Sequence, residues 1–361
     1  MILYLGLTVM TVALAYFVDN KATNIQSNRI SRQCMLNRVM LGTMFFLLFC
    51  VLAFRVDVGN DYGEYLDIFN DLHLGNHVST EFGFNIVVRI VQFFFGTGVV
   101  SARIIFALFA APTVSFMLRG MHDQSDWFVF SVFLFMANGY YFSAMTSVRY
   151  YFVLAIAVYA MKYVLQGKWL PFIAWIVFAA CFHKSVLLVI PVYFIASRNW
   201  KKWHMLLLVA LCVSFLLFED FYRRIIFTFY PFYENSVFDN GETSLINILK
   251  SFAILVFCLL YYKSVVEKDR KIQFWFYLNL GSLVLYTCCS FIPEISRVAY
   301  YLNVSNIFLV PAVLFKIPDK KQKIFFGVVI GAAFLAYFVM FLYKAYNVEV
   351  GLLPYKTWLF E

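Results

Sequence analysis

Apolar residues run along the chain in long blocks, broken at short intervals by polar clusters. Thirteen blocks stand out: 2–18, 39–54, 83–99, 102–118, 127–143, 150–166, 169–182, 185–197, 204–218, 245–262, 272–289, 298–315 and 324–343. A helix that crosses hydrocarbon needs about 20 apolar residues, within a range of about 17–25. The blocks therefore predict membrane-crossing helices, with tilt or burial in protein for the shorter ones. Trp127, Trp169, Trp200 and Trp203 fall at block ends, where an amphipathic indole sits well at a membrane interface. The expected fold is all-α: a polytopic integral membrane protein of about 12 (12–13) transmembrane helices, with short amphipathic juxtamembrane helices in its outer loops. It is expected to form one transmembrane domain over 1–361, with outer loops at 55–82 and 219–243.

The polar breaks sort by charge. Segments 19–38, 198–204, 263–271 and 316–323 hold fifteen Lys/Arg and four Asp/Glu. Segments 55–82, 219–243, 290–297 and 344–361 hold six Lys/Arg and fourteen Asp/Glu. The positive-inside rule puts the first group in the cytoplasm, so both termini are expected outside. That requires an even number of crossings, whereas thirteen blocks are present. The odd block lies between 83 and 126, where a short Gly-containing break separates two runs and one run is expected to be re-entrant or interfacial. The first block precedes any basic residue, the first being Lys21, so it is expected to be a retained span and not a cleaved signal.

Composition narrows the class. The chain is 63% hydrophobic and 14% charged, against about 25% charged in soluble domains. Its net charge of +9 resides in short inter-helix loops, not in a phosphate-tracking groove, so no nucleic-acid partner is expected. Seven scattered cysteines, Cys34, Cys50, Cys181, Cys212, Cys258, Cys288 and Cys289, form no CxxC pair and read as small core residues. No metal site or cofactor is expected; His73 and His77, four apart, read as part of an exposed loop.

Candidate chemistry lies in the outer breaks. In the first outer loop Gly59-Asn60 signals a turn, flanked by Asp57 and Asp61 beside Arg55. From Asp61 the pattern is helical. Asp61, Glu64, Asp67 and Asp71 share one arc, and Tyr62, Tyr65, Leu66, Phe69 and Leu72 the other, as in a helix lying on the membrane surface. Glu81, Asn85, Arg89 and Gln92 form a polar stripe, which is expected to face a cavity or polar partners because a central arginine facing lipid costs at least about 2.5–3.5 kcal/mol. Three further outer turns each offer a cation: Arg149; His183 with Lys184; and Arg297 with Tyr300 and Tyr301 three and four residues on. Guanidinium groups grip phosphate oxygens, a histidine exchanges protons near neutral pH, an aspartate can take a proton from a sugar hydroxyl, and tyrosines stack on sugars. The set fits glycosyl transfer from a lipid pyrophosphate. Two other readings use the same groups. A transporter or flippase of lipid-linked sugars would need midplane charges, for which Arg89, Arg103 and Lys250 are candidates. A membrane acyltransferase would use His183 as base.

Five segments carry a resemblance. Arg55-Val-Asp-Val-Gly-Asn-Asp-Tyr-Gly-Glu-Tyr, Glu81-Phe-Gly-Phe, Ser147-Val-Arg-Tyr-Tyr, Cys181-Phe-His-Lys-Ser-Val-Leu-Leu and Ser296-Arg-Val-Ala-Tyr-Tyr, in this order from about residue 50 to 311, resemble the EpsG-type, Wzy-like polysaccharide polymerase family. Leu353-Pro-Tyr-Lys is similar to that family's terminal segment. The resemblance implies a bacterial plasma-membrane enzyme that joins undecaprenyl-diphosphate-linked oligosaccharide repeats on the outer face, with a chain-length-regulating protein as a possible partner. It matches Arg149, His183 and Arg297 to the family's polar turns, and Asp57 and Asp61 to its first-loop acids. Gly59-Asn-Asp stands where the family often shows Gly-Thr-Asp, and Arg149-Tyr where it often shows Arg-Gln. Asp57, Asp61 and His183 are thus the catalytic candidates. Arg55, Glu81, Arg89, Arg149, Lys184, Arg297, Tyr300 and Tyr301 are the substrate-binding ones.

Overall fold

The computed structural model describes residues 1–21, 32–229, 231, 234, 236 and 243–360. Parts of segment 19–38, expected on the inner side, and of segment 219–243, expected to be an outer loop, lie outside the described residues. The chain is all-helical. Nine helices come first: α1 (Ile2–Tyr16), α2 (Arg32–Ala53), α3 (Tyr62–Leu74), α4 (Phe82–Phe95), α5 (Val99–Gln124), α6 (Phe128–Ala137), α7 (Tyr140–Ser143), α8 (Val148–Leu165) and α9 (Trp169–Ala180). Then follow α10 (Val189–Ala196), α11 (Lys202–Leu217), α12 (Glu219–Phe229), α13 (Leu245–Leu260), α14 (Arg270–Cys288), α15 (Ile295–Asn303), α16 (Asn306–Lys316) and α17 (Lys320–Lys344). No strand occurs among the described residues.

Five helical stretches are long and apolar enough to cross a membrane: α2, α5, α8, the run Ile295–Lys316 and α17. The pair α11–α12, bent by 84°, makes a sixth if it is one span. Shorter apolar helices occupy Ile2–Tyr16, Phe82–Phe95, Phe128–Ala137, Trp169–Ala180, Lys184–Ala196 and Leu245–Leu260. This is a multi-pass membrane protein.

The chain forms two compact units, Met1–Leu187 with Ile317–Glu361, and Leu188–Lys316. In the first, α5 and α8 run parallel. Phe109 packs on Phe152, Phe116 on Tyr159, and Asp123 pairs with Lys162, so both helices advance together. Helix α9 returns antiparallel, with Phe182 on Phe152 and Trp175 on Tyr159. This order places two ends. Asp123 and Lys162 mark one; the starts of α8 and α4 and the end of α9 mark the other, about 20 Å away for the 13 residues from Arg149 to Lys162.

Helix α4 lies in the stretch where the odd block is expected. Phe84 near its start packs on Phe109, and its other end turns through Gly96–Gly98 into α5. It therefore runs antiparallel to the first turns of α5, as one arm of a helical hairpin. The amphipathic helix expected from Asp61 forms as α3, but its apolar face does not lie open as a membrane-surface helix would. Tyr62 stacks on Phe106 at 4.7 Å and Tyr65 packs against Phe84, so α4 and α5 cover it. Protein aromatic rings supply the apolar contact that the wheel alone assigned to lipid.

In the second unit a polar cluster ties four helices together. Asn279 donates to the Ser251 carbonyl (3.0 Å), Asn306 donates to the side chains of Asn279 (3.0 Å) and Asn303 (2.7 Å), and Ser282 donates to the Asn279 carbonyl (2.8 Å). All five residues are buried. Because lipid tails are as apolar as leucine, such interhelical bonds discriminate between helix arrangements where burial of apolar area does not, each adding about 0.6–2 kcal/mol.

Candidate functional site

The loop after α2 is built around Arg55, which follows the end of that helix. Its side chain is 1% exposed. It donates to the carbonyls of Leu52, Val58 (3.2 Å) and Met145 (3.3 Å) and lies 4.6 Å over the Phe106 ring. Burial lowers its pKa to about 10, so it stays charged at neutral pH. Arg55, expected to contact substrate, is placed here with donors on three main-chain carbonyls, which fixes the loop against the turn that leads into α8. Gly59 completes that fit. Its φ is +95°, and a Cβ there would fall 2.0 Å from the Met145 carbonyl oxygen, so only glycine suits both the conformation and the space.

The C-terminal segment closes over the same loop. Gly59 donates its N–H to the Gly351 carbonyl (2.7 Å), Val56 to Lys356 (3.0 Å), and Trp358 to Phe54 (3.2 Å). Lys356 forms an ion pair with Asp57 (3.2 Å), whose backbone has φ +53°. Asp57 is exposed, whereas Asp61, at the start of α3, is half-buried.

Beside this loop lies the main cluster. Arg149, in the first turn of α8, forms an ion pair with Glu81, which precedes α4. The other Glu81 oxygen accepts from the Lys184 backbone N–H (3.2 Å). The Arg149 backbone N–H donates to the Tyr65 hydroxyl (3.3 Å), and its guanidinium lies 5.5 Å from the Phe84 ring and 6.0 Å from that of Tyr65. Burial raises the Tyr65 pKa against the lowering pull of Arg149, keeping the phenol protonated. Gly83 seals the joint by donating to the Cys181 carbonyl (2.7 Å). His183 follows, its Nδ1 paired with the Ser185 hydroxyl (2.8 Å) and its ring edge-on to Tyr150 at 5.7 Å. The Arg149 and Glu81 side chains are 17% and 16% exposed, shielded enough for the pair to exceed a surface salt bridge yet open to a ligand. The Arg149 Nε–H is buried with no hydrogen-bond partner among the described residues.

The structure thus brings Glu81, Arg149, His183 and Lys184 together, with Arg55, Asp57 and Asp61 on the adjoining loop. It divides the polar stripe of α4. Asn85 bonds Thr80, Gln92 donates to the Phe69 carbonyl (2.7 Å), and Arg89 is exposed two turns from Glu81. Arg103 hydrogen-bonds Tyr62, at the same end as Arg149. In the second unit Arg297 is 44% exposed and forms an ion pair with Glu294 (2.7 Å). Tyr301 is fully buried, and its carbonyl accepts from the Tyr193 hydroxyl (2.9 Å); Tyr300 is half-buried. Tyr301 therefore does not share the open side of Arg297. Tyr65, Phe84 and Lys356 were not picked out from the sequence as site residues. Tyr65 read as an apolar-face residue, Phe84 entered only through the Glu81-Phe-Gly-Phe likeness, and only the Leu353-Pro-Tyr-Lys likeness pointed toward Lys356.

A multi-span helical protein with an arginine–carboxylate pair held among aromatic rings is the class that fold and site define. The model of the EpsG family matches residues 38–357, and the chain belongs to that family, which suggests a polysaccharide polymerase-like function. No significant match is found among curated proteins or among solved structures.

Proposed function

We propose that the chain is a membrane glycosyltransferase that polymerises undecaprenyl-diphosphate-linked oligosaccharide repeats into a surface polysaccharide, on the outer face of the bacterial plasma membrane. The observation that carries this is the Arg149–Glu81 pair, half-sheltered between Tyr65 and Phe84 and flanked by His183 and Lys184. Arg149 grips diphosphate oxygens with its fork, and Lys184 adds a second cation. Glu81 orients Arg149 and ties it to the 183–184 turn. Asp61, or Asp57 once released from Lys356, takes the proton of the acceptor hydroxyl. The hydroxyl oxygen forms a bond to the anomeric carbon, the bond from that carbon to the diphosphate breaks, and the lipid diphosphate leaves with the electron pair. Arg149 meets the charge that accumulates on it. His183, anchored by Ser185, assists in proton transfer or phosphate contact. Arg297 and Tyr300 enter as a separate substrate contact borne by the second unit.

Twelve crossings belong to the same proposal, with α4 as the apolar block that does not cross. The basic breaks then face the cytoplasm and the Arg149 end faces out, in agreement with the positive-inside rule. A chain-length-regulating protein is the expected partner.

The test is a gel profile of surface polysaccharide from a host strain lacking this chain. A single repeat displayed outside, with long chains restored by the wild-type protein, is expected. Lipid-linked repeats trapped on the cytoplasmic leaflet would replace the polymerase with a flippase. Unchanged chain length with lost acetyl groups would replace it with an acyltransferase.

A further inference from the structure

At the end of the first unit opposite Arg149 lies an open recess of about 620 Å³. Trp127 and Phe130, stacked at 5.2 Å where α6 begins, form one wall. Lys320 and Lys323, in the first turn of α17, line its mouth. Gly327 and Val328 continue the lining along α17, so basic and apolar portions follow one another over about 12 Å of helix. A Cβ at Gly327 would meet nothing within 4 Å, so the recess is open beside it and a larger side chain there would project into it. The Asp319 carboxylate accepts from the Lys321 N–H and caps the helix, so the helix terminus is already engaged and an anion here would meet the lysine ammonium groups instead.

We infer that this recess binds one anionic glycerophospholipid, its phosphate at Lys320 and Lys323 and its acyl chains running along Gly327 and Val328 beside the Trp127–Phe130 wall. Each part of the recess selects for this amphiphile. The lysines favour negative over zwitterionic headgroups, because a choline ammonium would meet two like charges. The apolar run gives no advantage to a free phosphate. Trp127, the residue just before α6, is of the type favoured where hydrocarbon gives way to headgroups. The inference does not depend on the polymerase reading.

The experiment is native mass spectrometry of the purified full-length protein, delipidated and titrated with phosphatidylglycerol, phosphatidylcholine of the same chains, or inorganic phosphate. The wild type is expected to retain one phosphatidylglycerol about ten- to thirtyfold more strongly than phosphatidylcholine, from two lysines each contributing about a factor of five. Lys320→Gln with Lys323→Gln is expected to abolish that preference. Gly327→Leu, which keeps both charges, is expected to lose the lipid by filling the recess. Lys201→Gln with Lys202→Gln, in another basic loop, is expected to change nothing. Gel filtration checks that each variant remains folded. Undiminished phosphatidylglycerol retention in the Lys320/Lys323 variant would overturn the inference, as would equal loss in the Lys201/Lys202 control. Phosphate that binds the wild type and Gly327→Leu alike and displaces the lipid would reduce the recess to a plain anion site.

Discussion

At the residue scale, Arg149 and Arg55 show how the same side chain serves two ends. Arg149 keeps a buried Nε–H without a hydrogen-bond partner among the described residues and a guanidinium half-sheltered by aromatic rings, whereas Arg55 donates to three main-chain carbonyls. Arg149→Ala is expected to cut polymer formation by about a hundred- to a thousandfold, the usual loss when one donor to developing charge is removed. Arg149→Lys keeps the charge but not the fork and is expected to fall between. Polymer yield per unit of protein, from membranes blotted for expression, measures both. Arg55→Met should act on stability, because carbonyls of Leu52, Val58 and Met145 lose a buried donor at a cost of about 1–3 kcal/mol. A thermal melt in detergent detects it, and an unchanged melting temperature with lost activity would make Arg55 a substrate contact after all. Gly59→Ala is expected to lower the same melt, since the new Cβ collides with backbone that has little room to move. The sequence marked Arg149 and Arg55 alike as loop cations. What separates them is the Met145 carbonyl, 90 positions away from Arg55, which no local pattern reports.

At the element scale, the thirteen apolar blocks were legible because hydrophobic length is a direct signal, and each contains a helix. The direction of α4 was not. Its composition equals that of a spanning helix, and only the Phe84–Phe109 contact and the Gly96–Gly98 turn show it doubling back on α5. The polar cluster of α13 to α16 was missed for a related reason. Ser251, Asn279 and the Asn303/Asn306 pair lie in three separate apolar blocks and converge only when the helices pack. Asn306→Leu is expected to destabilise the second unit by about 1–2 kcal/mol, because Asn279 and Asn303 lose the donor they share. Unfolding in graded mixed micelles measures it, with Asn247→Leu, on the half-buried side of α13, as a comparison that should cost less.

At the scale of the whole molecule, two units divide the chemistry that the sequence laid out along one line. The first holds Arg149, Glu81, His183, Lys184 and the loop acids; the second holds Arg297 and Tyr300. The C-terminal segment was legible only through its family likeness, yet it supplies three main-chain hydrogen bonds and the Lys356–Asp57 ion pair to the first loop. Single cysteines placed at Asn60 and at Gln322 are expected to label from opposite faces of intact cells, the first from outside and the second only after permeabilisation. Labelling of both from one side would reverse or break the proposed twelve-crossing arrangement. The most direct test of the central proposal uses purified protein in liposomes, supplied with a lipid-diphosphate-linked repeat unit. A ladder of lengthened glycans is expected from the wild type and none from Arg149→Ala. An equal ladder from both would show that the Arg149–Glu81 cluster is not where the glycosyl transfer takes place.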